Sequence, residues 1–545
     1  MSEGHALQRL ARVPLLQRLA TRGKPPLRLV AVARDHVTGN KAAGEQLLGG
    51  RFVAGAEAMD LAELDWSALG TSSPLAVELH GFSWLRDLAA ATTREKGAAL
   101  AEGLAARWLA THGEKIDPAW APALWGERLL FWLAYAPYLL SRRDAAYRKA
   151  LLNTMARAAR HLASVGDEAS PGLPRITAWA GLTASCLLLS SGTARLARAE
   201  GGLARALASA QHDDGGLMSR SPAEQAMLVD RLGLLRSAYA AARHDFPQGF
   251  EDAGAAALAA LHGVTMGDGT LSSWQGGNEG SRAELAAIVE GCGFRARPLR
   301  VPRGWGYHRL SALGTALVID AAPPPGAKLA RVGSASTLAI ELSDGQQKLV
   351  VNCGGAGRLA GSLPEGLAEA LRTTAAHSTL TLADTNSTAI LPDGSLGKGV
   401  TDVAVERSED NDASRLEATH DGYVRGFGLA HSRALSLGND GKEVRGLDRL
   451  IARGRKKLRE DVPFAIRFHL GAGVEASPTA DGLGALIRSP GAPPWTFRCR
   501  GAQLGIEESV VVDGAGQLRS TLQLVLVGEV SSLGGEIGWQ FRRSS

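Results

Sequence analysis

His377 and Tyr423 are the side chains best suited to move a proton. His377 lies in a Thr/Ser-rich run, "TAAHSTLTLADT" (Thr374–Thr385), where an imidazole could hold a metal or a substrate, or bond within a strand. Tyr423 lies in "HDGYVRGFGLAHSR" (His420–Arg433), between His420 and His431, as an acid, a base or a ring packed at a hairpin. A strand alternates its side chains, so 421 and 423 share one face and 420 takes the other, and the three need not converge. Arg86, Arg128 and Arg220 supply planar guanidinium forks that can grip a carboxylate or sulfate with two bonds. Trp84, Trp125 and Trp274, with Tyr307, are rings on which a sugar could stack or which could fill a core. Asp213 and Asp214 adjoin in the chain and diverge, so they make no glycosidase pair, which needs carboxyls about 5–9.5 Å apart across a bond.

Other chemistries have less support. The four cysteines (Cys186, Cys292, Cys353 and Cys499) form no CxxC pair, which argues against a zinc ribbon and a disulfide scaffold. The glycine cluster Gly267–Gly280 lacks the strand–GxGxxG–helix setting of a nucleotide site. No cofactor and no metal is expected. A net charge of +5 over 545 residues is too small to suggest nucleic acid as a partner. No run reaches the ~18 apolar residues of a transmembrane helix. Arg9, Arg12, Arg18, Arg22, Lys24 and Arg28 break any secretory h-region. A cytoplasmic location is therefore expected, with a basic segment touching a membrane surface as the alternative for the N-terminus.

Two periodicities organise the elements that would position these residues. Leu100, Leu104 and Trp108 recur at helical spacing, as do Leu151, Met155, Ala159 and Leu162, and Leu228, Leu232, Leu235 and Tyr239. Ser221, Pro222 and Glu224 read as N-cap, first turn and returning carboxylate of a capping box. After a turn-rich stretch the period becomes two. Leu338, Ile340 and Leu342, then Phe464, Ile466, Phe468 and Leu470, then Leu522, Leu524 and Leu526 alternate with smaller or polar residues. The expected fold is α+β and multidomain: antiparallel helix pairs, then an antiparallel β-sandwich with one apolar face per strand. Expected boundaries are a basic segment over 1–75, helices over 76–265, a connecting segment over 266–310 and the sandwich over 311–545.

The order of "HGFSWLRDL" (His80–Leu88), "DDGGLMSRSP" (Asp213–Pro222), "MGDGTLSSWQGGNEG" (Met266–Gly280), the His377 and Tyr423 motifs, and "RFHL" (Arg467–Leu470) resembles the heparinase II/III-like family of polysaccharide lyases, across roughly residues 75 to 530. The resemblance implies an (α/α) toroid joined to the sandwich. It also implies β-elimination on an acidic, uronate-containing glycan such as heparan sulfate or alginate, that is, a carbon–oxygen lyase. That chemistry needs a group to neutralise the C5 carboxylate, a base for the C5 proton and an acid for the departing O4. On this reading His377 and Tyr423 are catalytic, Arg128 and Arg220 hold anionic groups, and Trp84, Trp125 and Trp274 line the substrate. It also points to a periplasmic or envelope setting as the alternative location.

The chain departs from the family pattern at the chemistry. Leu129 follows Arg128 where an Asn is usual, no Asn-His pair is evident in Ser170–Leu182, and Leu217 and Ala223 or Glu224 stand near the usual His and Tyr. Of the His, Asp and His that bind zinc in some members, only His377 is present; Ser334 or Ala335 and Asn352 take the other places. The alternative is thus a catalytically decayed lyase scaffold that binds glycan or assists cell-envelope assembly.

Overall fold

The computed structural model describes residues 28–544 apart from 56, 142–143, 191, 327, 330–331, 356–362, 365, 454–457 and 459. Of the N-terminal basic residues, Arg9, Arg12, Arg18, Arg22 and Lys24 lie outside the described residues. The chain divides into two compact units. One runs through Gln211 and includes Met227–Ala255 and Ala286–Arg295; the other is His212–Ala226, Ala256–Leu285 and Ala296–Ser545. No described helix is long and apolar enough to cross a membrane.

The first unit is helical apart from a hairpin of β1 (Arg51–Ala54) and β2 (Glu57–Asp60). Its principal helices are α1 (Lys41–Leu48), α2 (Pro74–Gly81), α3 (Leu85–Ala91), α4 (Arg94–His112), α5 (Pro122–Ala134), α6 (Ala145–Val165), α7 (Leu173–Leu188) and α8 (Leu196–Ala208). Three more follow in the chain: α9 (Pro222–Ala242), α10 (Gln248–Gly263) and α11 (Arg282–Gly291). Leu151, Met155, Ala159 and Leu162 are all buried on α6, as the spacing predicts. α5 and α7 approach backbone to backbone, because Gly126 and Gly181 meet where any Cβ would overlap the facing main chain. At the start of α9 the Glu224 amide donates to Ser221 Oγ (3.5 Å), while the Glu224 carboxylate accepts from Ser219 Oγ (2.5 Å). The cap forms, with Ser219 on that carboxylate.

The second unit is built on two antiparallel sheets. Its strands are β3 (Tyr307–Ala312), β4 (Thr315–Asp320), β5 (Ile340–Asp344), β6 (Gln347–Val351), β7 (Leu380–Leu382), β8 (Val403–Glu409), β9 (Ala413–His420), β10 (Leu429–Gly438), β11 (Glu443–Ala452), β12 (Val462–Leu470), β13 (Glu475–Pro478), β14 (Gly484–Arg488), β15 (Trp495–Arg500), β16 (Gln503–Val512), β17 (Leu518–Val530) and β18 (Gly534–Arg543). One sheet runs β16-β17-β12-β6-β5-β4-β3, with β7 also on β12; the other runs β13-β14-β15-β18-β11-β10-β9-β8. Ile340, Leu342, Phe464, Ile466 and Phe468 from the first share one core with Leu416, Leu435, Phe497, Trp539 and Phe541 from the second. This is the sandwich its period of two predicts.

The expectation of one apolar face per strand fails at β4 and β5, where every residue is buried. The preceding loop covers the other face: the Ser273 amide donates to Glu341 Oε1 (2.8 Å) and the Gly267 amide to Ser343 Oγ (3.0 Å). Leu338 lies before β5, in a left-handed turn (φ 64°).

Candidate functional site

In the helical unit the site residues form an aromatic core around one cation. Arg128, on α5, is fully buried, with its guanidinium 4.0 Å from the Trp108 ring centre and 4.4 Å from that of Trp125. Its Nε donates to the His80 carbonyl (2.7 Å) and its Nη1 to the Ala119 carbonyl (3.2 Å). Burial pulls its pKa well below the usual arginine range, with Asp117 and Glu127 opposing from a distance. Trp125 is edge-on to Trp108, Trp120 and Trp132. Trp84 leans on Phe82 and donates its Nε1 to the Leu79 carbonyl (3.3 Å). Neither tryptophan offers an open ring face, for both are buried. The sequence explains this: α5, "PALWGERLLFWLA", is apolar around most of its circumference and buries most of its residues.

A second polar cluster in this unit has members scattered along the sequence. Arg86 donates to Asp35 through Nε (2.8 Å) and Nη2 (3.0 Å), and to Asp230 through Nη2 (2.9 Å). Arg231 pairs with Asp230 and with Glu127 (2.9 Å), and Tyr135 donates to Asp35 (2.8 Å). Burial works against the Arg86 charge, but Asp230 and Asp35 outweigh it and hold its pKa above the ordinary value. Burial pushes His36 down. Asp35, His36 and Asp230 each bring one ligand atom within 4.8 Å of the others, the spacing of a metal site. The same carboxylates already receive two guanidinium groups, so positive charge is supplied without an ion. Of this set only Arg86 is prominent in the sequence, because the rest join it across 35 to 231.

In the sheet unit Arg220 and Trp274 come together on Tyr307. The Arg220 guanidinium lies 4.6 Å from the Tyr307 ring centre and Trp274 stacks on that ring at 5.4 Å. Arg220 pairs with Asp320 (2.5 Å) and donates to the carbonyls of Trp305 (3.1 Å) and Pro323 (2.8 Å); Tyr307 Oη donates back to the Arg220 carbonyl (2.7 Å). Its donors are thus spent inside the fold, and Trp274 is buried beside it.

His377 and Tyr423 are also buried. His377 shares a 2.7 Å bond between Nδ1 and the Thr373 carbonyl, and burial lowers its pKa to about 4. Tyr423 donates to the Leu380 carbonyl (2.8 Å), and burial raises its pKa above the ordinary phenol range, away from what a tyrosine base needs. His420 and His431 do converge, as register partners on β9 and β10, and the Tyr423 ring lies 5.5 Å from that of His420 because the turn at Asp421–Gly422 brings it back. His431 Nε2 meets Asp448 Oδ1 at 2.7 Å, and Asp448 also receives Arg433 (2.8 Å) and Trp539 Nε1 (2.7 Å). Burial opposes the Asp448 charge, yet Arg433 and His431 hold its pKa well below the carboxylate range. His469, likewise buried, sits 2.8 Å from Ser509 Oγ and 3.4 Å from Cys353 Sγ, its pKa pushed to about 3 by burial.

Residues 295–540 match the family described as Heparinase II/III-like, C-terminal. The chain covers 97% of itself and 88% of a solved heparinase III structure with a TM-score of 0.69 at 12% identity. For a mutant of heparan sulfate lyase HepC from Pedobacter heparinus the shares are 99% and 88%, with a TM-score of 0.61 and 14% identity. Helices followed by antiparallel sheets are thus the fold of a polysaccharide lyase, and at such identities the likeness is of fold alone. The family likeness is thus carried by residues 295–540, the C-terminal part of the chain. It is also 29% identical, over 92% of its own length and 88% of the other, to FtsZ-localized protein C of Caulobacter vibrioides.

Proposed function

We propose that this protein is a lyase-fold scaffold that acts by binding, in company with FtsZ, and does not run β-elimination with the residues its family resemblance points to. The near full-length likeness to an FtsZ-localized protein carries the proposal. The burial of His377, Tyr423, Arg128 and Arg220 supports it, since a base, an acid and an anion clamp must reach a substrate. A cytoplasmic location accords with this reading.

The test is co-sedimentation of the purified chain with polymerised FtsZ, run beside absorbance near 232 nm with heparan sulfate, hyaluronan, alginate and glucuronan. Co-sedimentation with a flat absorbance trace is expected. An absorbance rise that a folded His377→Ala variant abolishes would instead establish the second reading, a lyase for an acidic uronate glycan, which the shared fold favours.

A further inference from the structure

The solvent-facing side of the sheet that runs from β13 to β8 carries a trough of about 700 Å³ across six strands, β8-β9-β10-β11-β18-β15. Its floor is formed by Ala434, Ser436, Leu447 and Gly538, which are register neighbours of one another or of the arginines on this face. Arginines rise from every second strand. Arg415 and Arg445 flank Ser436, and Arg445 and Arg498 flank Gln540, so neighbours stand about 9.5 Å apart at their strands. Arg500 lies over Gly538, where an added Cβ would come within 2.6 Å of its Nε. Arg445, Arg498 and Arg500 are all exposed.

The carboxylates that pair with these arginines are not part of the trough lining. Asp410 holds Arg415, Glu443 holds Arg445 (2.8 Å) and Asp481 holds Arg498. Such exposed pairs are weak and exchange readily for an incoming carboxylate. Arg500 has no ion pair among the described residues. At the opposite end, Glu406 and Glu417 face each other directly across β8 and β9, an unfavourable like-charge pair; Glu417 is held by Arg449, and Glu406 has no ion pair among the described residues.

We propose that the trough binds an extended acidic segment of a partner polypeptide, its carboxylates on Arg445, Arg498 and Arg500. The length fits: six strands span about 24 Å, or about seven extended residues. Charge complementarity selects a peptide over an acidic glycan. A uniform polyanion would run into Glu406 and Glu417, whereas a peptide can change charge along its length. Trp539, the aromatic residue of the lining, is only 3% exposed and offers no face for a sugar to stack on. The inference stands whether or not the chain accompanies FtsZ.

Fluorescence anisotropy of the full chain with a labelled peptide of about seven residues, glutamates at one end and lysines at the other, tests it. The triple variant Arg445→Ser, Arg498→Ser, Arg500→Ser should bind roughly tenfold or more weakly at unchanged thermal stability, and added salt should weaken the wild type. Glu406→Gln should weaken binding of the same peptide. Equal binding by the triple variant, or no effect of Glu406→Gln, would overturn the proposal. So would a heparan sulfate oligosaccharide that displaces the labelled peptide more effectively than unlabelled peptide does, since it would hand the trough to a glycan.

Discussion

Asp448 accepts hydrogen bonds from Arg433 and Trp539 and bonds His431 inside the sandwich, so its charge and that of Arg433 are each tolerable only because of the other. Asp448→Asn removes one and strands the other, and should cost about 3–5 kcal/mol in urea unfolding. His377 gives a pH dependence whose sign is fixed by burial. Its pKa is about 4 in the fold and ~6.5 in the unfolded chain, so between those values the unfolded chain binds a proton that the folded one does not. Its contribution is complete above pH ~6.5 and is lost as the pH falls toward 4, amounting to about 2 kcal/mol by pH 5. His308, also lowered to about 4 by burial, acts in the same direction. Urea midpoints at pH 7 and pH 5 should therefore differ, and the difference should shrink in His377→Gln. An unchanged difference would mean that the imidazole is not sealed as described.

Helix α7 meets α5 through two glycines, a contact that helical periodicity does not reveal because glycine carries no hydrophobic signal. Gly181→Ala should force the helices apart and cost about 1–3 kcal/mol in thermal unfolding. Gly201→Ala, in the middle of α8 with only the end of Arg205 nearby, should stabilise by roughly 0.5–1 kcal/mol through helix propensity and so serves as the control. Equal effects at both positions would contradict the close helix approach. Among the strands, β12 follows its alternation because one of its faces fills the shared core. β5 does not, since Glu341 and Ser343 are covered by a loop some seventy residues earlier in the chain.

For the molecule as a whole, all four cysteines are free thiols, three buried and Cys499 half-buried. Burial raises the pKa of each, most for Cys353, which reaches about 12. A thiol reagent at pH 8 should therefore modify Cys499 alone in the folded chain and all four in denaturant, with reducing agent leaving the melting temperature unchanged. Fast labelling of Cys353 in the native state would contradict the packing around His469.

Element type was legible along the chain because it depends on local spacing. Leu151 to Leu162 could bury one stripe only as a helix, and Phe464 to Leu470 one face only as a strand. The family motifs were legible too, since short runs such as "TAAHSTLTLADT" survive as strings. Accessibility was not legible, because it depends on what distant segments place on top of a residue. Arg220 looks like a free cation until Asp320, a hundred residues later, takes its charge and Tyr307 its face. Arg128 looks like a substrate clamp until Trp108 and Trp125 close over it. Arg445, Arg498 and Arg500 are unremarkable in sequence and are brought to one trough only by the pairing of β11, β18 and β15. Periodicity constrains neighbours along the chain, whereas burial and charge pairing are settled by contacts between residues that the chain itself keeps far apart.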